Sequence, residues 1–164
     1  MTRAFALLRS FVMAAVFVSM WTWFFPRWIA AGKGVALAPR IGWPLIPMAL
    51  GLGVMLLCTW EFGWTGHGTP APFDPPRRFV ARGCYRFVRN PMYAGMLLCL
   101  LGEAFLLPPI RNELFWLAAI FAGAVTLLVL LYEEPKLQRS FGDEYAAYRR
   151  HVHRWLPRLT PYTP

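Results

Sequence analysis

The sequence predicts an all-α, polytopic membrane protein of about four transmembrane helices followed by a C-terminal interfacial amphipathic helix. Three observations carry that expectation. Apolar residues make up 57% of the chain and aromatic ones 16%, while only 15% are charged, well under the roughly one quarter of an average soluble domain. The apolar residues gather into four runs near the length that crosses a hydrocarbon core of about 30 Å. The basic residues are confined mostly to alternate connections between those runs.

The first run, 4–25, has Arg9 close enough to its start to snorkel. A secretory signal peptide competes for this stretch, since Arg3 and Arg9 lie ahead of the bulk of it and small residues follow at Ala30 and Ala31. Its length and its bulky aromatics favour a retained helix, with Trp21, Trp23 and Trp28 as an interfacial belt. The second run, 41–60, carries Pro44 and Pro47 in its first turns, where proline is best tolerated. The third, 92–107, is short and stopped by Pro108 and Pro109. The fourth, 114–132, contains no charge and ends against Glu133 and Glu134.

Thirteen Lys and Arg residues fall in the N-terminus, the second connection and the tail; the first and third connections hold four. The positive-inside rule then places both termini and the loop 61–91 in the cytoplasm, and the expected location is a bacterial inner membrane. This fits four spans in one domain, 1–164. The loop is too long for a plain helix connection and is rich in Gly, Pro and aromatics, as an ordered functional loop would be. In the tail 133–164, Leu137, Phe141, Tyr145, Tyr148 and Val152 recur at helical spacing, so one stripe of an amphipathic helix lies on the interface or folds back over the loop.

The formal charge of +9 does not point to nucleic acid, because no dense basic run is present. Cys58, Cys84 and Cys99 have neither disulfide-framework nor metal-ligand spacing and read as packing residues. His151 and His153, two apart, do not share a helix face, and no third ligand accompanies them. No metal is expected.

Two constellations remain. Adjacent carboxylates at the end of a membrane helix, Glu133 and Glu134, repel each other and must face water or meet a cation such as an ammonium or sulfonium. At a helix C-terminus they also oppose the macrodipole. Asn90-Pro91 is an ordinary capped helix start, whereas Tyr93 and Gly95 just beyond it are less readily explained that way, since an early glycine admits a backbone or a ligand. Gly51 and Gly53 in the second run permit the same approach, as ligand contact or as helix packing.

These residues sit within motifs in a definite order: Gly66 to Pro72, Gly83 to Gly95 (Gly-Cys-Tyr-Arg-Phe-Val-Arg-Asn-Pro-Met-Tyr-Ala-Gly), Glu133-Glu134-Pro135, Phe141 to Tyr148, and Val152 to Pro157. Together they resemble the superfamily of isoprenylcysteine carboxyl methyltransferases and phospholipid methyltransferases, integral membrane enzymes that use S-adenosylmethionine. The resemblance spans roughly Gly51 to Pro157. It implies a cofactor site between the ends of the last two spans, the loop before them and the tail. Tyr85, Arg89, Asn90, Tyr93 and Gly95 would line it, Glu133 or Glu134 would hold the cofactor ammonium, and Gly51 and Gly53 stand where relatives place a Gly-x-Gly. Many relatives have His where this chain has Asn90, which speaks against a base at that position, and His67 falls outside the motif.

The resemblance also implies S-adenosylhomocysteine as product and a hydrophobic or lipid-like small-molecule acceptor taken from the bilayer. Arg89, Arg154 and Glu134 are the candidate catalytic residues. Tyr145, Tyr148, Arg149 and Arg150 are the candidate acceptor-binding set, because guanidinium pairs with carboxylate or phosphate. Displacement of a methyl group from a sulfonium needs positioning and exclusion of water more than a base. Two other functions compete: a small membrane reductase using NADPH, with a similar Tyr-x-x-Tyr and Trp-Leu-Pro tail, and a non-catalytic protein binding anionic lipid. The acceptor is left open between carboxylate, thiol and amine.

Overall fold

The structure, a computed structural model, describes residues 3–61, 79 and 81–163. Most of the loop 61–91, including His67 and the Gly66 to Pro72 motif, lies outside the described residues. Those that are described form helices α1 (Arg3–Ser19), α2 (Phe25–Lys33), α3 (Leu45–Glu61), α4 (Pro91–Leu106), α5 (Arg111–Leu128) and α6 (Glu134–His151), with no strand among them. Two continuous helical stretches, Leu7–Lys33 and Pro108–His151, are long and apolar enough to cross a membrane; α3 and α4 are shorter apolar helices.

Proline shapes both long stretches. Pro26 follows a π-helical turn at Met20–Phe24, where the N–H of Phe25 reaches back to the carbonyl of Met20, and α2 continues to Lys33. Pro135 follows a second π turn at Val129–Glu133, where the N–H of Glu134 bonds the carbonyl of Val129, and α6 continues to His151. A proline inside a helix has no N–H to donate and its ring crowds the carbonyl four residues back. One wider turn just ahead relieves that crowding without ending the helix. The first helix thus outlasts the expected end at 25. The fourth does not stop at Tyr132, so Glu133 and Glu134 are not a helix C-terminus and the macrodipole argument does not apply to them.

α3 packs against α4 and α4 against α5, each pair antiparallel. α3 and α4 meet at Gly51 and Gly95: a Cβ on Gly51 would collide with the Gly95 carbonyl and lie 2.8 Å from Cys99 Sγ, and one on Gly95 would lie 2.7 Å from the Gly51 carbonyl. Gly102 continues the contact against Pro44, Pro47 and Met48. Small residues let helix backbones approach closely where lipid gives no hydrophobic drive for association. The turn Pro108–Ile110 reverses the chain into α5, and the N–H of Arg40 ties the first connection to the Leu106 carbonyl at 2.7 Å.

Two apolar clusters fill the bundle. Ala30, Ala104, Leu107, Ile110 and Leu114 close one end. Met55, Cys58, Tyr85, Met92, Met96, Leu100, Ala118, Phe121 and Val125 fill the middle and the other end, with Phe17 and Trp21 packed against them. Trp21 stacks edge-on against Phe121 at 4.8 Å between centroids and so turns inward, unlike the exposed Trp23 and Trp28. The expected aromatic belt loses that member. Outward faces carry Leu8, Val12, Val16, Ile46, Leu50, Leu57, Trp116, Ile120, Leu127 and Leu131, the apolar exterior expected of a bundle solvated by lipid.

Candidate functional site

The start of α4 and the end of α5 lie at the same end of the bundle. Their nearness is fixed by a hydrogen bond from the Tyr93 hydroxyl to Glu133 Oε1, at 2.5 Å. Tyr93 stands on the first turn of α4, behind the Asn90-Pro91 start, and Glu133 is the last residue of the second π turn.

Glu134, one residue on, has quite different partners. Arg154 donates to it in a fork, Nε to Oε1 at 2.7 Å and Nη2 to Oε2 at 2.9 Å. Arg89 Nη1 forms an ion pair with Oε1 at 2.9 Å, close enough for charge attraction but without hydrogen-bond alignment. The side chains of Glu134 and Arg89 are 8% and 10% exposed and that of Arg154 30%. Tyr145 and Arg149 complete the charged surroundings.

The environments drive the two carboxylates apart. Burial is the chief influence on Glu133 and, with repulsion from Glu134, raises its pKa in spite of the Tyr93 hydrogen bond. Burial pushes Glu134 up as well, but hydrogen bonding by Arg154 and the charges of Arg89, Arg154 and Arg149 outweigh it, leaving Glu134 below the usual carboxylate value. Glu134 is a buried carboxylate neutralised by arginines, whereas Glu133 is a half-buried acid with a hydroxyl for a partner.

Backbone pairing holds the loop and tail in register around this centre. Arg89 N–H donates to the His153 carbonyl at 2.9 Å and Asn90 Nδ2 to the Arg154 carbonyl at 3.1 Å. Farther along, Arg158 N–H donates to Phe87 and Tyr162 N–H to Arg86, and Arg86 Nε returns a bond to the Tyr162 carbonyl at 2.7 Å. The side-chain amide of Asn90 thereby joins the helix start to the tail, without capping α4. Beneath the strap, Ala81, Tyr145, Tyr148 and Val152 are buried together with Phe79, Leu137, Phe141 and Tyr162 around them. The tail stripe therefore folds back onto the chain ahead of α4, and the Tyr148 hydroxyl donates to the Tyr85 carbonyl at 2.6 Å. A left-handed residue at Gly142 (φ 49°) bends α6, which brings both halves of the stripe onto this surface.

Of the residues singled out in the sequence, Tyr85, Arg89, Asn90, Tyr93, Glu133, Glu134, Tyr145, Tyr148 and Arg154 gather in this region. Arg149 and Arg150 are exposed on α6. Gly51 and Gly95 lie against each other, so the space that a ligand would need on those faces is taken by the facing helix; Gly53 has open space beside it. The sequence did not single out Tyr162 or the tail segment leading to it. A tyrosine near a chain end carries no motif by itself, and its role depends on a backbone register visible only in the fold. No group of three or more His, Cys, Asp or Glu among the described residues could hold a metal ion.

The described residues thus form an α-helical bundle that gathers paired carboxylates, arginines and tyrosines at one end. A family model for phospholipid methyltransferases matches residues 40–144, and the chain belongs to that family. It is 37% identical over 79 residues to a methanethiol S-methyltransferase of Mycobacterium tuberculosis, covering 48% of this chain and 30% of that protein. It is 31% identical over 88 residues to a probable protein-S-isoprenylcysteine O-methyltransferase of Oryza sativa subsp. indica, covering 52% of this chain and 44% of that protein. A 66-residue stretch is 39% identical to an uncharacterised protein of Haemophilus influenzae, all of which it covers. The matches thus span less than half of the two named enzymes. No solved structure matches the chain.

Proposed function

We propose that this protein is an integral membrane methyltransferase that moves a methyl group from S-adenosylmethionine to a hydrophobic or lipid-like acceptor at the cytoplasmic face. The observation that carries this reading is the contrast between the two carboxylates. Glu134 is already satisfied by Arg89 and Arg154, while Glu133 is half-buried beside Tyr93 and can take the ammonium of the cofactor's amino-acid moiety. The family match and the methyltransferase names of the two relatives support it; neither NADPH reduction nor simple lipid binding has comparable support.

In this reading α1 with α2, α3, α4 and α5 are the four spans, and α6 is the interfacial helix folded over the cytoplasmic mouth. The sulfonium of the cofactor supplies an activated methyl group. The chain's own residues do the rest. Glu133 and Tyr93 fix the ammonium, Asn90 and Tyr85 hold the strap and turn in place, and the aromatic surface of Tyr145 and Tyr148 keeps water out. Arg89 Nε is buried without an acceptor among the described residues, which makes Arg89 the donor for a carboxylate or phosphate on the acceptor or cofactor. Exposed Arg149 and Arg150 would attract an anionic acceptor to the mouth. A thiol or carboxylate acceptor needs no strong base, in keeping with Asn90 where relatives have His.

Calorimetric titration of the detergent-solubilised protein with S-adenosylhomocysteine, with NADPH in parallel, tests the reading. Binding of S-adenosylhomocysteine alone is expected; a folded protein that binds neither, or only NADPH, overturns it.

A further inference from the structure

The methyl-transfer reading uses the inner side of the strap and leaves its outer side without a task. Phe87, Leu156 and Leu159 stand on the two paired segments, which the bond from the Arg158 N–H to the Phe87 carbonyl holds together. They are 37%, 73% and 99% exposed. Single exposed apolar residues are ordinary, but three brought together by one short backbone pairing mark a contact surface. Arginines share these segments. Arg82 is exposed, and Arg86 and Arg158 are half-buried. Arg86 donates to the Tyr162 carbonyl and Arg158 to the Thr160 hydroxyl, and none of the three has a carboxylate partner among the described residues.

The depth of the strap follows from α3. Trp43 lies just ahead of this helix and Trp60 on its last turn, and both are largely exposed. At 1.5 Å per residue they stand roughly 25 Å apart along the axis, close to the thickness of a hydrocarbon core of about 30 Å. Exposed tryptophans at that spacing fit the two interfaces of a bilayer. The 3₁₀ turn Gly83–Arg86 docks beside Trp60, since a Cβ on Gly83 would lie 3.3 Å from Glu61 Oε1. Cys84 of that turn and Trp155 of the tail pack on the cluster that holds Met55 and Cys58 of α3. Turn and strap are therefore level with Trp60, at headgroup depth.

We propose that the outer side of the strap is a docking surface for the anionic leaflet of the membrane around the bundle mouth. Phe87, Leu156 and Leu159 enter the boundary between headgroups and acyl chains, and Arg82, Arg86 and Arg158 lie on lipid phosphates. The inference rests on the membrane reading of the proposed function. It also moves the interfacial contact expected of the α6 stripe: Tyr145, Tyr148 and Val152 are taken up by Ala81 and Phe79, and the strap meets the lipid in their place. The docked strap is the same segment whose His153 and Arg154 carbonyls hold Arg89 and Asn90, so anionic lipid steadies the edge of the site.

The test reconstitutes the full chain, with Cys84→Ser to remove its half-buried thiol, in nanodiscs of phosphatidylcholine alone or mixed with phosphatidylglycerol. A nitroxide is attached at Leu159→Cys, at Glu144→Cys on the exposed side of α6, or at Ile120→Cys on the outward face of α5. Its relaxation by oxygen, which enters lipid, is compared with relaxation by a nickel chelate, which stays in water. In the mixed lipid the Ile120 label should read as deep, the Glu144 label as aqueous, and the Leu159 label as immersed at the headgroup boundary. Arg158→Gln should lower the ratio of immersed to free Leu159 label about fivefold, the share of one arginine at an anionic surface, and leaving out phosphatidylglycerol should lower it at least as much. A Leu159 label as open to the chelate as the Glu144 label overturns the proposal, as does equal immersion without phosphatidylglycerol or broadening by the label of a second copy. A deep Ile120 label beside an aqueous Leu159 label sinks this inference alone, whereas an aqueous Ile120 label sinks the membrane reading with it. No cofactor enters the measurement, so S-adenosylhomocysteine binding can fail without altering its result.

Discussion

The two π turns solve one backbone problem and serve different ends. Met20–Phe24 precedes Pro26 and Val129–Glu133 precedes Pro135 at the same interval, each with its exit N–H bonded five residues back. The first carries Trp21 into the core, leaves Trp23 and Phe24 exposed on the outside, and continues into apolar α2. The second carries Glu133 to Tyr93 and starts α6 with Glu134. A widened turn is therefore not itself a functional mark. In the proposed function the second turn differs because polar groups ride on it and because the helix beyond it has its own surface to pack, as the Tyr145–Tyr148 stripe does.

Neutralising Glu134 should show the largest effect. Glu134→Gln leaves Arg89 buried beside an uncharged amide and weakens the fork with Arg154, and removing one member of a buried pair costs about 3 kcal/mol. A clear fall in melting temperature is expected, with no counterpart for Thr22→Ala in the first turn. That change loses only the bond from Thr22 Oγ1 to the Val18 carbonyl, worth about 1 kcal/mol at most. The sign with pH follows from the lowered pKa of Glu134. Its stabilisation is present above the unfolded carboxylate value and is lost as pH falls through the folded one, so the variant should lack that acid-sensitive increment. Equal melting of Glu134→Gln and wild type would mean that the carboxylate is not an anchor.

Glu133→Gln should do the reverse, sparing stability and weakening S-adenosylhomocysteine by about tenfold or more, on the order of 1.4 kcal/mol. The raised pKa of Glu133 adds a pH signature. Binding of an ammonium by this carboxylate should weaken, as pH falls, at a higher pH than for an ordinary glutamate, and the variant should lose that dependence. Unchanged affinity in a folded Glu133→Gln protein would remove Glu133 from the cofactor site and erase the contrast between the turns.

Much of this was legible from residue patterns, because apolar runs, proline stops and a helical stripe are local signals. The reversal at Pro108–Ile110 and the starts of α3 and α4 fall close to where the sequence puts them. What escaped was non-local. The sequence ends its first and fourth runs at 25 and 132, but cannot show that one extra residue in the turn ahead of Pro26 and of Pro135 lets the helix run on. It pairs Glu133 with Glu134 as like charges, yet their partners Tyr93 and Arg154 are forty residues before one and twenty after the other. Gly51 and Gly95 show the same limit, since only the crossing of α3 and α4 assigns them to each other.

The smallest effect, and the sharpest comparison, comes from the prolines. Replacing Pro135 by Ala restores an N–H that can bond four residues back, and so favours a regular α turn in place of the π turn. Removing the extra residue would rotate α6 against α5 by roughly 100° with a shift of about 1.5 Å. The buried face formed by Ala81, Tyr145, Tyr148 and Val152 resists that rotation, so the two preferences compete and Glu133 is held less firmly against Tyr93. S-adenosylhomocysteine affinity should then fall about fivefold, near 1 kcal/mol. Pro26→Ala removes the same constraint from a turn that bears no part of the site, and calorimetry should find its affinity unchanged. If the two substitutions weaken binding equally, the second π turn does not place Glu133, and the difference between the turns is only one of sequence.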